Sequence, residues 1–209
     1  MNTKIEAVTV CENYSDYLTL GMERNRQCFD RWIIVTDPND TTTRRLCEKN
    51  NLECVTTTKL HEDGADFAKG RAINDGLDAC DKDGWLVQLD ADTILLPIGF
   101  KEAIELATPL NKFALYSVRG RLLLNNDKEL ADFFANKCTY SIEDFTHVDW
   151  FVGYFQMWHS SFCTRYPAYS DHAGLDDAIF ANDYFATRIP LFTFSIHVGP
   201  MWVHHKGRK

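Results

Sequence analysis

No stretch of this 209-residue chain approaches the roughly 18 consecutive apolar residues of a membrane-spanning helix, so no transmembrane segment is expected. The chain also lacks low-complexity tracts, linker-like composition and internal repeats, which leads us to expect one domain over residues 1–209. A strand-like Ile5-Glu6-Ala7-Val8-Thr9-Val10 follows the first four residues directly, leaving no signal peptide to expect. Positive charge is scarce. With 22 Lys and Arg against 30 Asp and Glu, the net charge of −8 argues against a broad nucleic-acid-binding face, although a local basic groove remains open. The one basic cluster is the tail His204-His205-Lys206-Gly207-Arg208-Lys209. The 7 cysteines are odd in number and form no CxxC pair. They read as buried thiols of a reducing compartment, so the expected location is cytoplasmic, in a cell or in a virus-infected host cell. There is neither a Walker A loop nor a GxGxxG, so any phosphate recognition must come from a metal and side chains rather than a glycine cradle.

What is there alternates between two periods. Residues 5–10, 32–36, 52–56 and 85–89 read as strands, and residues 15–28, 41–49 and 67–80 as helices, with Asp40 as the cap of the second. Such alternation predicts βαβ units and a mostly parallel sheet flanked by helices. The second half is less regular. Helices are expected near 100–107, 128–136 and 176–185, and strands near 113–118, 149–159 and 191–197.

The run Trp85-Leu86-Val87-Gln88-Leu89-Asp90-Ala91-Asp92 ends a buried strand in two carboxylates one residue apart. In extended chain Asp90 and Asp92 share a face while Ala91 points away. Two ionised carboxylates side by side repel unless a cation lies between them. Mg²⁺ or Mn²⁺ suits, because such ions take oxygen ligands and bridge one or two carboxylates to a substrate phosphate. In open α/β sheets, ligands bind beyond the carboxyl ends of the strands, where this pair falls. The same pair also reads as solvated loop acids or a cap. Upstream, Lys69 and Arg71 stand near the start of a helix whose inner face holds Ala72, Ile73 and Leu77. Cations there would hold a diphosphate, or merely solvate the helix.

Lys69-Gly70-Arg71-Ala72-Ile73-Asn74-x-Gly76-Leu77, followed by Gly84 and the strand ending in Asp90-Ala91-Asp92, resembles the donor half of GT-A nucleotide-sugar glycosyltransferases. The match is nearest to glycosyltransferase family 2, with the acidic pair as its DxD motif. The resemblance spans about residues 4–97, a donor half, and leaves 98–209 as an acceptor half of mixed structure. It implies a single GT-A type α/β domain with a Rossmann-like sheet. It also implies Asp92 on a Mn²⁺ or Mg²⁺ ion, Asp90 on the donor and within reach of that ion, and Ala91, Lys69 and Arg71 beside the donor. Tyr14 and Asp37 would then meet the nucleotide base.

Further pieces of the second half extend the resemblance. Gly174-Leu175-Asp176-Asp177-Ala178-Ile179-Phe180 resembles the segment in which inverting members carry their catalytic base, with Leu175 standing where the family usually has Glu. Asp176 or Asp177 would be the base; a retaining mechanism would need neither. His197-Val198-Gly199-Pro200, then Lys206-Gly207-Arg208, resembles the family's ending, in which the histidine completes the metal site. His204 and His205 are alternatives to His197, and Lys206 and Arg208 would close over the diphosphate. Trp150, Phe151, Tyr154, Phe155 and Trp158 would build the acceptor side, or are simply a packed strand. The expected activity is metal-dependent transfer from a nucleoside diphosphate sugar, of UDP type, to an acceptor hydroxyl. Glycans, lipid-linked sugars, proteins and modified nucleic-acid bases all remain open as acceptors, and the oligomeric state is open too. A metal-dependent nucleotidyltransferase or diphosphate hydrolase, and a non-catalytic nucleotide-sugar or glycan-binding module, are the competing readings.

Overall fold

The protein is described by a computed structural model covering residues 4–107, 112–137, 139–141, 143–144, 153–169, 173–185 and 187–198. Strand β1 (Ile5–Val10) is buried throughout. Its alternate residues feed two cores: Ile5 and Ala7 join one cluster, Val8 and Val10 the other. Strand β2 (Arg31–Thr36) divides likewise, Trp32 and Ile34 against Ile33 and Val35. Burial on both faces is what a parallel strand between helical layers requires. With β3 (Glu53–Thr56) and β4 (Trp85–Leu89) these strands form a parallel block in the order β3-β2-β1-β4. Helices α1 (Ser15–Cys28), α2 (Thr41–Lys49) and α3 (Lys69–Ala79) make the crossovers.

Asp40 caps α2 as expected, accepting from Thr43 N at 3.0 Å. It also accepts from Asn13 N at 2.8 Å and Thr43 Oγ1 at 2.6 Å, joining the loops that follow β1 and β2. Burial alone would raise its pKa; the bonds from Thr43, Asn13 and Thr36 outweigh that and hold it below the usual carboxylate value.

Beyond β4 the sheet becomes mixed. Strand β8 (Phe155–His159) runs antiparallel to β4, and β6 (Leu115–Leu124) antiparallel to β8. Strand β9 (Arg188–Val198) lies parallel to β6, and β5 (Thr93–Leu95) closes the path antiparallel to β9. The full order is β3-β2-β1-β4-β8-β6-β9-β5, with the short β7 (Glu143–Asp144) paired to β6. Helices α4 (Phe100–Ala107), α5 (Asp127–Phe134) and α6 (Ala173–Asp183) complete the described elements. The fold is thus a mixed α/β domain with a curled sheet, parallel in its first block and mixed beyond. No helix of the described residues is long and apolar enough to cross a membrane.

Several elements differ from the sequence expectation: α6 starts at Ala173 rather than 176, β9 spans Arg188–Val198 rather than 191–197, α5 spans Asp127–Phe134 rather than 128–136, and the short β7 was not expected. The strand expected at 113–118 runs from Leu115 to Leu124, passing through Arg119-Gly120-Arg121; a register shift between Val118 and Gly120 and pairing with β7 carry it on. Helix α3 begins at Lys69 rather than at residue 67. Strand β5 went unread because three residues show no period, and it exists through its pairing with β9.

Strands β4 and β5 are consecutive in sequence, yet they sit at the middle and the far end of the sheet. Only Asp90-Ala91-Asp92 joins them. That link lies where the curled sheet turns back on itself.

Candidate active site

The link is a tight turn, with Thr93 N bonded to Asp90 O at 3.1 Å, and Tyr154 O accepts from Asp90 N at 2.9 Å. These bonds present both carboxylates beyond the carboxyl end of β4. Asp90 is the better supported. Its Oδ1 receives Lys69 Nζ at 2.7 Å and Gln88 Nε2 at 2.7 Å. Asp92 receives no side-chain donor among the described residues. Burial first, and then the charge of Asp90, push its pKa up to about 7. A half-buried carboxylate beside a second one, with no cation paired to it among the described residues, is a site where a divalent ion would relieve the repulsion. The donor chemistry, hard oxygen ligands in a turn, fits Mn²⁺ or Mg²⁺.

Among the described residues no three His, Cys, Asp or Glu side chains converge to hold a metal. His197 therefore does not complete a ready cage with Asp90 and Asp92. It is buried on β9 opposite Thr93, the residue after Asp92. Its ring lies 4.5 Å from that of Tyr154, and Nε2 is 3.4 Å from Ser195 Oγ. An open pair of carboxylates is what an ion delivered with a diphosphate needs, since the phosphate oxygens and water supply the remaining ligands.

Lys69 is 4% exposed and reaches Asp177 as well, with Nζ 3.0 Å from Oδ2. The Asp90-Ala91-Asp92 turn and helix α6 are thereby joined through one ammonium. Burial would lower the Lys69 pKa; Asp177 and Asp90 reverse this and raise it, so the group is charged at any relevant pH. Asp177 also accepts from Tyr166 Oη at 2.5 Å. Burial pushes Asp177 up to about 6 against the opposing effect of Lys69. Asp176, fully buried, accepts from Tyr169 N at 3.3 Å. Two glycines permit this packing. A Cβ on Gly153 would stand 1.9 Å from Asp177 Oδ2, and one on Gly70 would stand 1.9 Å from Pro167 O.

The remaining expected residues are distributed as follows. Tyr14 is half-buried at the start of α1, 5.8 Å from the Tyr17 ring, and Asp37 accepts from Asn39 N at 2.7 Å in the turn after β2. Both sit at carboxyl ends of parallel strands, as Asp90 does. Ala91 is buried within the turn. Arg71 points elsewhere: its Nη1 is 3.4 Å from Asp63 Oδ2 and 3.6 Å from Glu62 Oε2. Phe155 and Trp158, expected to build an acceptor surface, are fully buried, because β8 is a central strand covered on both faces. Phe155 packs edge-on against Phe100, and Trp158 against Phe180. Tyr154 is also buried. Trp150, Phe151, His204, His205, Lys206 and Arg208 lie outside the described residues.

Sequence reasoning missed Gln88, Asn74, Gln156 and Tyr166. Asn74 clamps the backbone of Tyr166, donating to its O at 2.9 Å and accepting from its N at 2.8 Å. Gln156, opposite Gln88 in the β4–β8 register, meets Tyr166 Oη at 2.5 Å. The available signal was a lone glutamine in each of two otherwise apolar strands.

This architecture is the GT-A fold, the fold of nucleotide-sugar glycosyltransferases. Its solved counterparts include glucosyl-3-phosphoglycerate synthase from Mycobacterium tuberculosis. In complex with Mn²⁺, UDP-glucose and glycerol 3-phosphate, that enzyme is similar at 14% identity and a TM-score of 0.62, over 97% of this chain and 75% of its own. Its complex with Mn²⁺, UDP and glucosyl-3-phosphoglycerate gives 14% identity and 0.59 over the same shares. Another crystal structure of the enzyme gives 14% and 0.57, over 91% of this chain and 71% of the enzyme. No protein-family model and no curated protein sequence matches the chain.

Proposed function

We propose that this protein is a metal-dependent glycosyltransferase that moves a sugar from a nucleoside diphosphate sugar, of UDP type, to an acceptor hydroxyl. One observation carries the reading: Asp92 is a half-buried carboxylate, its pKa raised by desolvation and by the adjacent Asp90, without a paired cation among the described residues, in the turn at the carboxyl end of β4. The same-fold enzyme crystallised with Mn²⁺ and UDP-glucose supports both the ion and the donor class.

Asp92, with Asp90, would hold Mn²⁺ or Mg²⁺, and His197 is the candidate third ligand. The bound ion would supply Lewis-acid stabilisation of charge on the departing diphosphate. Tyr14 and Asp37, beyond the carboxyl ends of β1 and β2, would meet the nucleotide base, and Ala91 would lie beside the donor. Lys69 would hold the Asp90 carboxylate in its orientation. Arg71 would have to leave Glu62 and Asp63 to meet a phosphate.

For an inverting reaction, Asp176 or Asp177 would take the proton of the acceptor hydroxyl as it attacks the anomeric carbon. Asp177 already carries bonds from Lys69 and Tyr166, and its raised pKa suits a group that accepts a proton near neutrality. Asp176→Asn and Asp177→Asn separate the two: the base variant is expected to lose transfer by about 10²–10⁴-fold while calorimetry still records donor binding. Unimpaired transfer in both would remove the base and favour a retaining mechanism.

The reading itself is tested by incubating the protein with UDP- and GDP-sugars and Mn²⁺ and following free nucleoside diphosphate. Slow release that stops on adding chelator is expected. Binding without release would favour a non-catalytic module, and attack on plain nucleoside triphosphates a nucleotidyltransferase or hydrolase.

A further inference from the structure

An ammonium group has three N–H bonds to give. Lys69 donates to Asp177 Oδ2 (3.0 Å), Asp177 Oδ1 (3.2 Å) and Gly153 O (3.3 Å) and pairs with Asp90 Oδ1 at 2.7 Å, inside a pocket that leaves it 4% exposed. Two carboxylates and a carbonyl thus surround the ammonium, and a phosphate oxygen would have to displace one of them to reach it. On the receiving side, Asp90 Oδ1 is engaged twice, by Lys69 and by Gln88 Nε2, while Oδ2 has no partner among the described residues. The carboxylate is thereby fixed by one oxygen and open at the other.

We propose that Lys69 is a positioning residue: with Gln88 it orients Asp90 for the metal-bound donor, and through Asp177 it ties that orientation to the acid-bearing helix α6. This rests on the reading of Asp90 and Asp92 as the metal and donor site. It differs from a direct contact between Lys69 and the diphosphate, which the two cations near the helix start suggested, and from an ion pair that only holds the fold together. Partners behind a metal ligand commonly govern affinity by about 10–100-fold. A role through Asp90 must therefore show in the metal-dependent part of donor binding and spare the rest.

The experiment is calorimetry of UDP with and without Mn²⁺ on the full chain, together with thermal melts, for the wild type, Lys69→Met and the pair Lys69→Met with Asp177→Asn. Lys69→Met is expected to weaken Mn²⁺-dependent UDP binding about 10–100-fold and to leave metal-free UDP binding unchanged. It also strands the buried Asp177 carboxylate, so its melting temperature falls; Asp177→Asn removes that charge and should restore the melt without restoring the Mn²⁺-dependent affinity. An equal loss with and without Mn²⁺ would make Lys69 a phosphate contact and overturn the proposal. Recovery of affinity in the paired variant would make it a structural ion pair and overturn it too. If Lys69→Met does not fold, Gln88→Met, which strands no charge, reads the same orientation and should again lower only the Mn²⁺-dependent term; an unchanged value would be fatal. A wild-type chain that binds UDP no better with Mn²⁺ than without sinks the donor-site reading, a result distinct from the others because it appears before any substitution.

Discussion

Replacing Asp92 by Asn is expected to raise the melting temperature of the metal-free protein above pH 7 and, in the same variant, to abolish Mn²⁺-dependent release of nucleotide from a nucleotide sugar. The two effects have one cause. Burial and the neighbouring Asp90 lift the Asp92 pKa to about 7. At about 1.4 kcal/mol per pH unit the shift sets an upper bound of about 4 kcal/mol, and the partial exposure of Asp92 brings the cost of keeping it ionised in the fold to roughly 2–4 kcal/mol. For a chain of this length that corresponds to roughly 5–10 °C in melting temperature. The sign follows from linkage. The folded-state pKa lies above the unfolded value, so the penalty is absent below about pH 4 and complete above about pH 7. The advantage of Asn should grow across that window. With Mn²⁺ and UDP added, the order should reverse, because a ligand that binds only the folded wild type stabilises it alone. Thermal melts at pH 5 and pH 8, with and without Mn²⁺ and UDP, check all of this. A variant that is less stable than wild type at pH 8 without metal, or one that retains near-normal turnover, would defeat the assignment.

Gly153→Ala should cost about 10²-fold in turnover, although glycine and alanine differ by one methyl group. The added Cβ would fall 1.9 Å from Asp177 Oδ2, 2.3 Å from its Cγ and 2.6 Å from its Cβ, so no rotation of a side-chain tip relieves it. Either β8 or α6 must shift, and the Lys69–Asp177 pair with it. Overpacking of this kind typically costs about 1–3 kcal/mol of stability. Adding Asp177→Ala to the same chain removes the two closest of these atoms and leaves only the Cβ contact. The double variant should regain part of that stability by chemical denaturation yet stay poor in turnover, since helix α6 has then lost its tie to Lys69. If Gly153→Ala alone left both stability and turnover unchanged, the packing of α6 on the donor turn would be immaterial to the site.

Much of this was legible along the chain where structure is local. Residues 5–10, 15–28, 41–49 and 85–89 matched their elements residue for residue, because each carries a clear period and a recognisable end, such as Asp40 before α2. The DxD pair stood out because two acids close a buried strand. What was not legible depends on distant chain. Nothing near Thr93 announces that residues 93–95 pair with β9, and nothing near Lys69 announces Asp177. The charged pattern at Lys69 and Arg71 suggested two similar cations. Helical geometry separates them: Lys69 turns into the site, and Arg71 turns toward Glu62 and Asp63. The aromatic run around residue 155 has the composition of a sugar-stacking surface and of a strand core alike; for Phe155 and Trp158 the place of β8 between β4 and β6 decides for the core.

The stitch from β4 to β5 has a consequence for how the protein is made. Asp90, Ala91 and Asp92 are adjacent in sequence, but their turn is held on one side by the first block of strands and on the other by Thr93 opposite His197, about a hundred residues later. Contacts so far apart in sequence form late in folding. A nascent chain halted on the ribosome before β9 would therefore carry Asp90, Ala91 and Asp92 and still lack the turn on which the proposed donor site depends.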